Sequence, residues 1–179
     1  MRNNFIVLFS GGTGGHVIPA VNFGNYLIDY GYNCTLFLDN RGLQYASKFK
    51  GRIVNISSAH FSGNIIFKLN SFFLLLYGFM QSFYHLMIIR PSHCVSFGSY
   101  ASFMPLIVAT LLQIFKLTEI HLHEQNSIIG KVNLFFLPYT KYIFTNFEIV
   151  NNLEDAINTF KASDLDHLFI ENRILLSKK

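Results

Sequence analysis

At 179 residues and 20.5 kDa the chain has the length of one domain rather than two. Hydrophobic residues make up 51% and charged residues only 13%, against roughly 25% charged in an ordinary soluble domain. That excludes intrinsic disorder and leaves apolar surface for a partner or a membrane, while a net charge of +4 is too mild for a nucleic-acid binder and suits an anionic small molecule or anionic lipid.

The first thirty residues read as strand, loop, helix. Phe5–Phe9 is a continuous apolar run of β-formers, as expected of a strand buried on both faces of a parallel sheet. Ser10 to His16 breaks it with four glycines, and a helix is expected from Pro19 to Tyr30, capped by Gly31. Asn33–Leu38 predicts a second strand, Leu43–Phe49 a short helix and Arg52–Ile56 a third strand. Further strands are expected at His93–Phe97, Glu119–His123 and Lys141–Thr145, with a helix from Ala101 to about Lys116. Strand and helix alternate, the pattern of an α/β fold with a doubly wound, mostly parallel, Rossmann-like sheet. After Asn146 the sequence becomes a polar tail, residues 147–179, in which a helix is expected to start at Asn152 and no further strand–helix unit appears.

Between the third and fourth strands, Ile65–Ile89 runs almost without charge up to Arg90-Pro91. A membrane span needs about 20 apolar residues, but Asn70, Gln81, Ser82 and His85 within the run are costly in lipid. A core helix partly exposed on one side is the expectation. Basic Lys48, Lys50, Arg52 and Lys68 accompany Phe67, Leu69, Phe72, Phe73 and Leu76, a composition that suits interfacial membrane binding as well as core filling. Cys34 and Cys94 stand far apart without C-x-x-C spacing and read as two reduced, buried thiols.

The candidate chemistry lies in three loops. Gly11-Gly-Thr-Gly-Gly15-His16 sits where a first strand hands over to a first helix, where glycines admit close backbone approach and helix N–H groups meet an anion. It is neither a Walker A loop nor the G-x-G-x-x-G fingerprint, and a tight turn accounts for the glycines as well as a ligand does. His16 can hydrogen-bond or exchange a proton near pH 7, or serve as a surface or capping histidine. Phe97-Gly-Ser-Tyr100 and His121-Leu-His-Glu-Gln-Asn-Ser127 follow strands, at the carboxyl edge where α/β sheets bind ligands. Alternation places His121 and His123 on one strand face, but with Glu124 they make a weak metal site. Amides and a carboxylate at Glu124, Gln125 and Asn126 fit a polyhydroxy ligand such as a sugar better, and Glu124 fits equally as a cap of the next helix. A dinucleotide-binding reading is disfavoured, because no acidic residue but Asp39 stands at the end of the second strand.

Together, Gly11–Ala20, Phe97–Pro105 and His123–Ser127 resemble, in order and spacing, the N-terminal half of the MurG family of N-acetylglucosamine transferases, over about residues 4 to 146. The resemblance implies the N-terminal domain of an inverting GT-B glycosyltransferase of peptidoglycan synthesis, peripheral at the cytoplasmic face of the bacterial inner membrane. It implies UDP-N-acetylglucosamine as donor and undecaprenyl-linked muramyl pentapeptide as acceptor, an anionic membrane surface as partner, and no cofactor, metal or nucleic acid. By the same resemblance His16 is catalytic, assisting the acceptor hydroxyl; Thr13, Gly14, Gly15 and Asn126 bind the donor; and Tyr100, Glu124 and Gln125 line the acceptor side. The family's second, donor-binding domain has no counterpart here. Residues 1–146 are therefore expected to be the acceptor-side domain and 147–179 a vestige of the interdomain linker, with a separate donor-binding subunit as a possible partner. The competing expectation is a non-catalytic acceptor-binding or membrane-recruitment module, a truncated relic or split subunit.

Overall fold

Six short runs of β-branched and aromatic residues pair in the computed structural model, which describes residues 4–59, 65–126, 129–145, 167–170 and 174–177. They are β1 (Phe5–Phe9), β2 (Asn33–Leu38), β3 (Arg52–Asn55), β4 (His93–Ser96), β5 (Glu119–Glu124) and β6 (Tyr142–Thr145). All pairs are parallel and the order is β3-β2-β1-β4-β5-β6, the doubly wound arrangement expected. The order reverses between β1 and β4. The loops leaving those two strands at their carboxyl ends border a crevice.

The two-residue period of β1 divides the core. Val7 and Phe9 join one buried cluster with Phe37, Leu86, Leu106 and Leu122. Ile6 and Leu8 join the other with Val17, Val21, Leu36 and Phe97. Helix α1 (Gly14–Asp29) covers the second face; α2 (Ile65–Ile89), α3 (Phe103–Ile114) and α4 (Lys131–Phe136) contribute to the first. Cys34 and Cys94 are buried, and desolvation pushes their thiols up to about 11 and about 12.

Two expectations about helices change. α1 begins at Gly14, five residues before Pro19, because the glycines that read as loop adopt the first helical turn. Pro19 lies inside the helix, so the Gly15 carbonyl goes without its helical donor. Only Leu43–Tyr45 of the second expected helix forms, as one 3₁₀ turn. Asn25 holds the following chain away from helix geometry, donating to Lys48 O (2.9 Å) and accepting from Lys50 N (2.8 Å).

α2 shows both faces of its composition. Ser71, Leu75, Gly78, Ser82 and Leu86, spaced four, three, four and four, form its buried stripe. Gly78 makes the closest approach: a Cβ there would lie 2.0 Å from Ser57 O. Gln81 Oε1 accepts from Ser57 N (2.8 Å) and so fastens the helix to the domain, while the Ser82 hydroxyl donates back within the helix to Gly78 O (2.7 Å). Phe67–Ile89 is long and apolar enough to cross a membrane, yet only about a fifth of its most apolar window is buried.

The chain divides into two units, Met1–Asn146 and Phe147–Lys179. The second contains an antiparallel hairpin of β7 (His167–Ile170) and β8 (Ile174–Ser177), strands the tail had not signalled. The helix expected at Asn152 lies outside the described residues.

Candidate active-site cleft

The crevice at the strand-order reversal is a cleft of about 300 Å³, and its walls include Gly12, Thr13, His16, Ser99, Tyr100 and Asn126. All three sequence motifs meet there. The first two loops touch so closely that a Cβ on Gly11 would lie 2.5 Å from Ala101 Cβ and 2.8 Å from Asp39 Oδ1, which only glycine permits. Gly12 turns with φ +76.

His16, on the first turn of α1, is held through Nδ1, which donates to Phe97 O (2.8 Å). That bond fixes the tautomer and leaves the lone pair on Nε2. Gln125 braces the arrangement. Its amide nitrogen donates to Phe97 O (2.7 Å) and lies against His16 Nδ1, while its Oε1 meets His123 Nδ1 (3.3 Å). The His123 ring stacks on Phe97 at 4.6 Å.

Glu124 is buried and saturated. Its Oε1 accepts from Asn126 N (3.1 Å) and Asn126 Nδ2 (2.9 Å), and its Oε2 from Gly130 N (2.9 Å) and Asn133 Nδ2 (3.0 Å). Gly130 is the N-cap of α4, so the capping alternative for Glu124 describes its geometry. Glu124 and Gln125, expected on the acceptor side, spend these polar atoms on the protein; Glu124 and Asn126 both line the cleft, and of the three Asn126 is the exposed one.

Thr13 is the N-cap of α1 but makes no side-chain cap bond, and a Cβ on Gly15 would meet Thr13 Oγ1 at an ordinary 3.7 Å. Tyr100, exposed, follows a strained turn: Gly98 has φ +79 and Ser99 φ +75 with ψ +152, a region almost reserved for glycine. Asp39, which the sequence offered only as a strand-end carboxylate, binds the glycine loop. Its Oδ1 accepts from Gly12 N (2.8 Å) and Gly42 N (3.1 Å), and its Oδ2 from Arg41 Nε (2.7 Å) and Ser58 Oγ (3.3 Å). Burial raises the Asp39 pKa, but the Gly12 amide, the Arg41 guanidinium and the Gly42 amide outweigh it and hold the carboxyl below its ordinary value. Asn133, equally unforeseen, ties Glu124 to His123 O (3.1 Å) from ten residues away, with no local signal.

The suspected metal pairing separates. His123 faces Phe97, whereas His121 lies toward the amino edge with His93 and Glu119. His93 Nδ1 is 3.1 Å from His121 Nε2, and Lys141 Nζ already supplies a cation 3.0 Å from Glu119 Oε2. A larger cavity, about 710 Å³, opens near this opposite edge, between Arg90, Ser92, Lys116 and Lys141, away from all three motifs.

The glycosyltransferase family 28 N-terminal domain matches residues 6–145. The chain belongs to that family. It is 37% identical over 161 residues to the UDP-N-acetylglucosamine--N-acetylmuramyl-(pentapeptide) pyrophosphoryl-undecaprenol N-acetylglucosamine transferase of Wolbachia pipientis subsp. Culex pipiens, covering 90% of this chain and 44% of the relative. The protein of the same name from Anaplasma marginale is 38% identical over 140 residues, or 77% of this chain and 38% of that one. The crystal structure of Acinetobacter baumannii MurG superposes with a TM-score of 0.69 at 22% identity, over 80% of this chain and 42% of that one, and supports the GT-B N-terminal fold. The chain thus spans about two fifths of the length of the curated relatives it matches.

Proposed function

We propose that the chain is the acceptor-side domain of a glycosyltransferase that moves N-acetylglucosamine from UDP-N-acetylglucosamine to a lipid-linked muramyl pentapeptide, the activity its relatives' names carry. One observation bears most of this reading: His16, with Nδ1 committed to Phe97 O, stands in the cleft where the three motif loops converge. Its Nε2 takes the proton of the acceptor hydroxyl as that oxygen attacks the anomeric carbon and the bond to the departing diphosphate breaks. Thr13, Gly14, Gly15 and Asn126 receive the donor, the first three at the N-terminal turn of α1, where the N–H groups of Gly14 and Gly15 stabilise the leaving group's charge. Tyr100 lines the acceptor side. Glu124 and Gln125 act there by holding the Asn126 loop and His16 in place, as positioning residues.

A lipid-linked acceptor requires the domain to work at a membrane surface. The exposed apolar side of α2, with Phe67, Phe72, Phe73, Leu76, Tyr77 and Met80, supplies a docking face for peripheral attachment at the inner membrane. Turnover on this reading takes a donor-binding domain, added in trans. The test is transfer of radiolabel from UDP-N-acetylglucosamine to a short-chain lipid acceptor, with and without the C-terminal half of a relative. Label in the acceptor supports the enzyme. Acceptor binding with no transfer under either condition identifies a non-catalytic binding module instead.

A further inference from the structure

The glycine loop does not present all its amides to the cleft. Gly12 N–H, the donor at the centre of the loop, points back to Asp39 Oδ1 (2.8 Å), and Thr13 N–H is taken by Gly11 O (3.1 Å). A doubly charged diphosphate needs more than the remaining amides of the helix end, and the same carboxylate that takes the Gly12 amide supplies it. Asp39 Oδ2 accepts from Arg41 Nε at 2.7 Å, a bond that uses one edge of the guanidinium and leaves its Nη groups to face elsewhere. Arg41 lines the cleft, and Arg41 Nη2 lies 3.9 Å from the position a Cβ would take on Gly12. The Asp39 side chain is 5% exposed, while the Arg41 side chain is 63% exposed. A buried anion thus orients an accessible cation beside the loop.

We propose that Arg41 is a diphosphate-binding residue of this cleft and that Asp39 is its positioning residue. The inference rests on the cleft being a diphosphate subsite, as the proposed function requires, but it needs no glycosyl transfer. A planar guanidinium pinned at Nε offers its Nη donors in a fixed fork, the geometry that suits phosphate oxygens. Asp39 serves two ends at once. Its Oδ1 sets the glycine turn through Gly12 and Gly42, and its Oδ2 sets the direction of Arg41. Because Arg41 and two amides already compensate its charge, Asp39 does not repel the ligand as an unpaired carboxylate would. The diphosphate is that of the nucleotide-sugar donor or that of the lipid-linked acceptor; both present the same chemistry, and separate titrations distinguish them.

The test uses the full chain and three probes: inorganic pyrophosphate, UDP-N-acetylglucosamine and a short-chain lipid-diphosphate acceptor, titrated by calorimetry. R41Q should weaken binding of pyrophosphate about tenfold and reduce its salt dependence while the chain stays folded at the titration temperature, with R41K intermediate. Whichever larger probe loses affinity with pyrophosphate identifies the source of the diphosphate. D39N keeps an acceptor oxygen for Gly12 and Gly42 but places an amide donor against Arg41 Nε. It should weaken pyrophosphate binding severalfold in the wild-type background and have no effect on R41Q. Unchanged affinity in R41Q overturns the proposal, as does failure of the wild-type chain to bind pyrophosphate at millimolar concentration. An equal loss from D39N in both backgrounds overturns the positioning role. Absence of glycosyl transfer in the assay above counts against the proposed function and leaves this inference standing.

Discussion

Ser99 carries the clearest local strain in the cleft. Its φ of +75 with ψ of +152 is a conformation glycine reaches without steric cost, and among the described residues its side chain gains a long bond from Ala101 N at 3.5 Å. Ser99→Gly should therefore stabilise the domain by about 1 kcal/mol and raise its melting temperature by about 3 °C; a lower melting temperature would show that no strain is stored there. His121 is a second residue with a readable consequence. Burial, then the neighbouring His93, pushes its pKa down to about 4, with Glu119 opposing and Lys141 assisting the shift. The unfolded chain, with an ordinary histidine near 6.5, binds the proton more readily, so His121 withdraws stability as pH falls from about 6.5 toward 4. His121→Phe, which keeps a ring to stack on Tyr142, should show a smaller loss of melting temperature between pH 6.5 and 4.5 than the wild type. An identical loss would assign the pH response to other groups. These residue-scale facts were only partly legible. Glycines and a histidine after a strand announce a ligand loop, but nothing in Gly-Ser-Tyr announces that serine adopts a glycine conformation. The pairing of Gly12 with Asp39 spans 27 residues and depends on two adjacent strand ends, which no local pattern encodes.

At the scale of elements, the central strands β1, β2, β4 and β5 are readable as largely buried runs, and the edge strands β3 and β6, mostly exposed, as short runs of β-formers. The register that brings β1 beside both β2 and β4 then puts their loops together. α1 starts earlier than the sequence predicts because glycine propensity opposes a helix that the buried Val17 and Val21 favour. In α2 composition settled the helix but not its faces, since nearly every position is apolar. The structure separates them, and neighbouring residues should respond in opposite ways. Gly78→Ala forces a methyl against Ser57 O and should cost about 1–3 kcal/mol of stability, read as a lower denaturant midpoint. Phe73, Tyr77 and Met80, all more than half exposed on the outer face, should tolerate serine with little loss of stability. The triple serine variant should instead lose most of its binding to vesicles containing anionic phosphatidylglycerol in a flotation assay. Undiminished flotation would remove α2 as the docking face.

Across the whole molecule, apolar excess and modest positive charge have separate addresses. The exposed apolar side chains are densest along α2, and the cleft at the strand-order reversal carries Arg41 and Lys131 among its lining residues. The family match over residues 6–145 coincides with the six-stranded unit, while the hairpin of β7 and β8 follows it. The central claim is that this unit holds the acceptor half of a transferase and that His16 is its base. It is tested most directly by comparing transfer of radiolabelled N-acetylglucosamine by the wild-type chain and by His16→Ala, each supplied with the same donor-binding domain. The account predicts measurable transfer by the wild type, a loss of about 100-fold or more in kcat for His16→Ala and an unchanged thermal melt. Equal rates for the two proteins, or no transfer by the wild type, would contradict it.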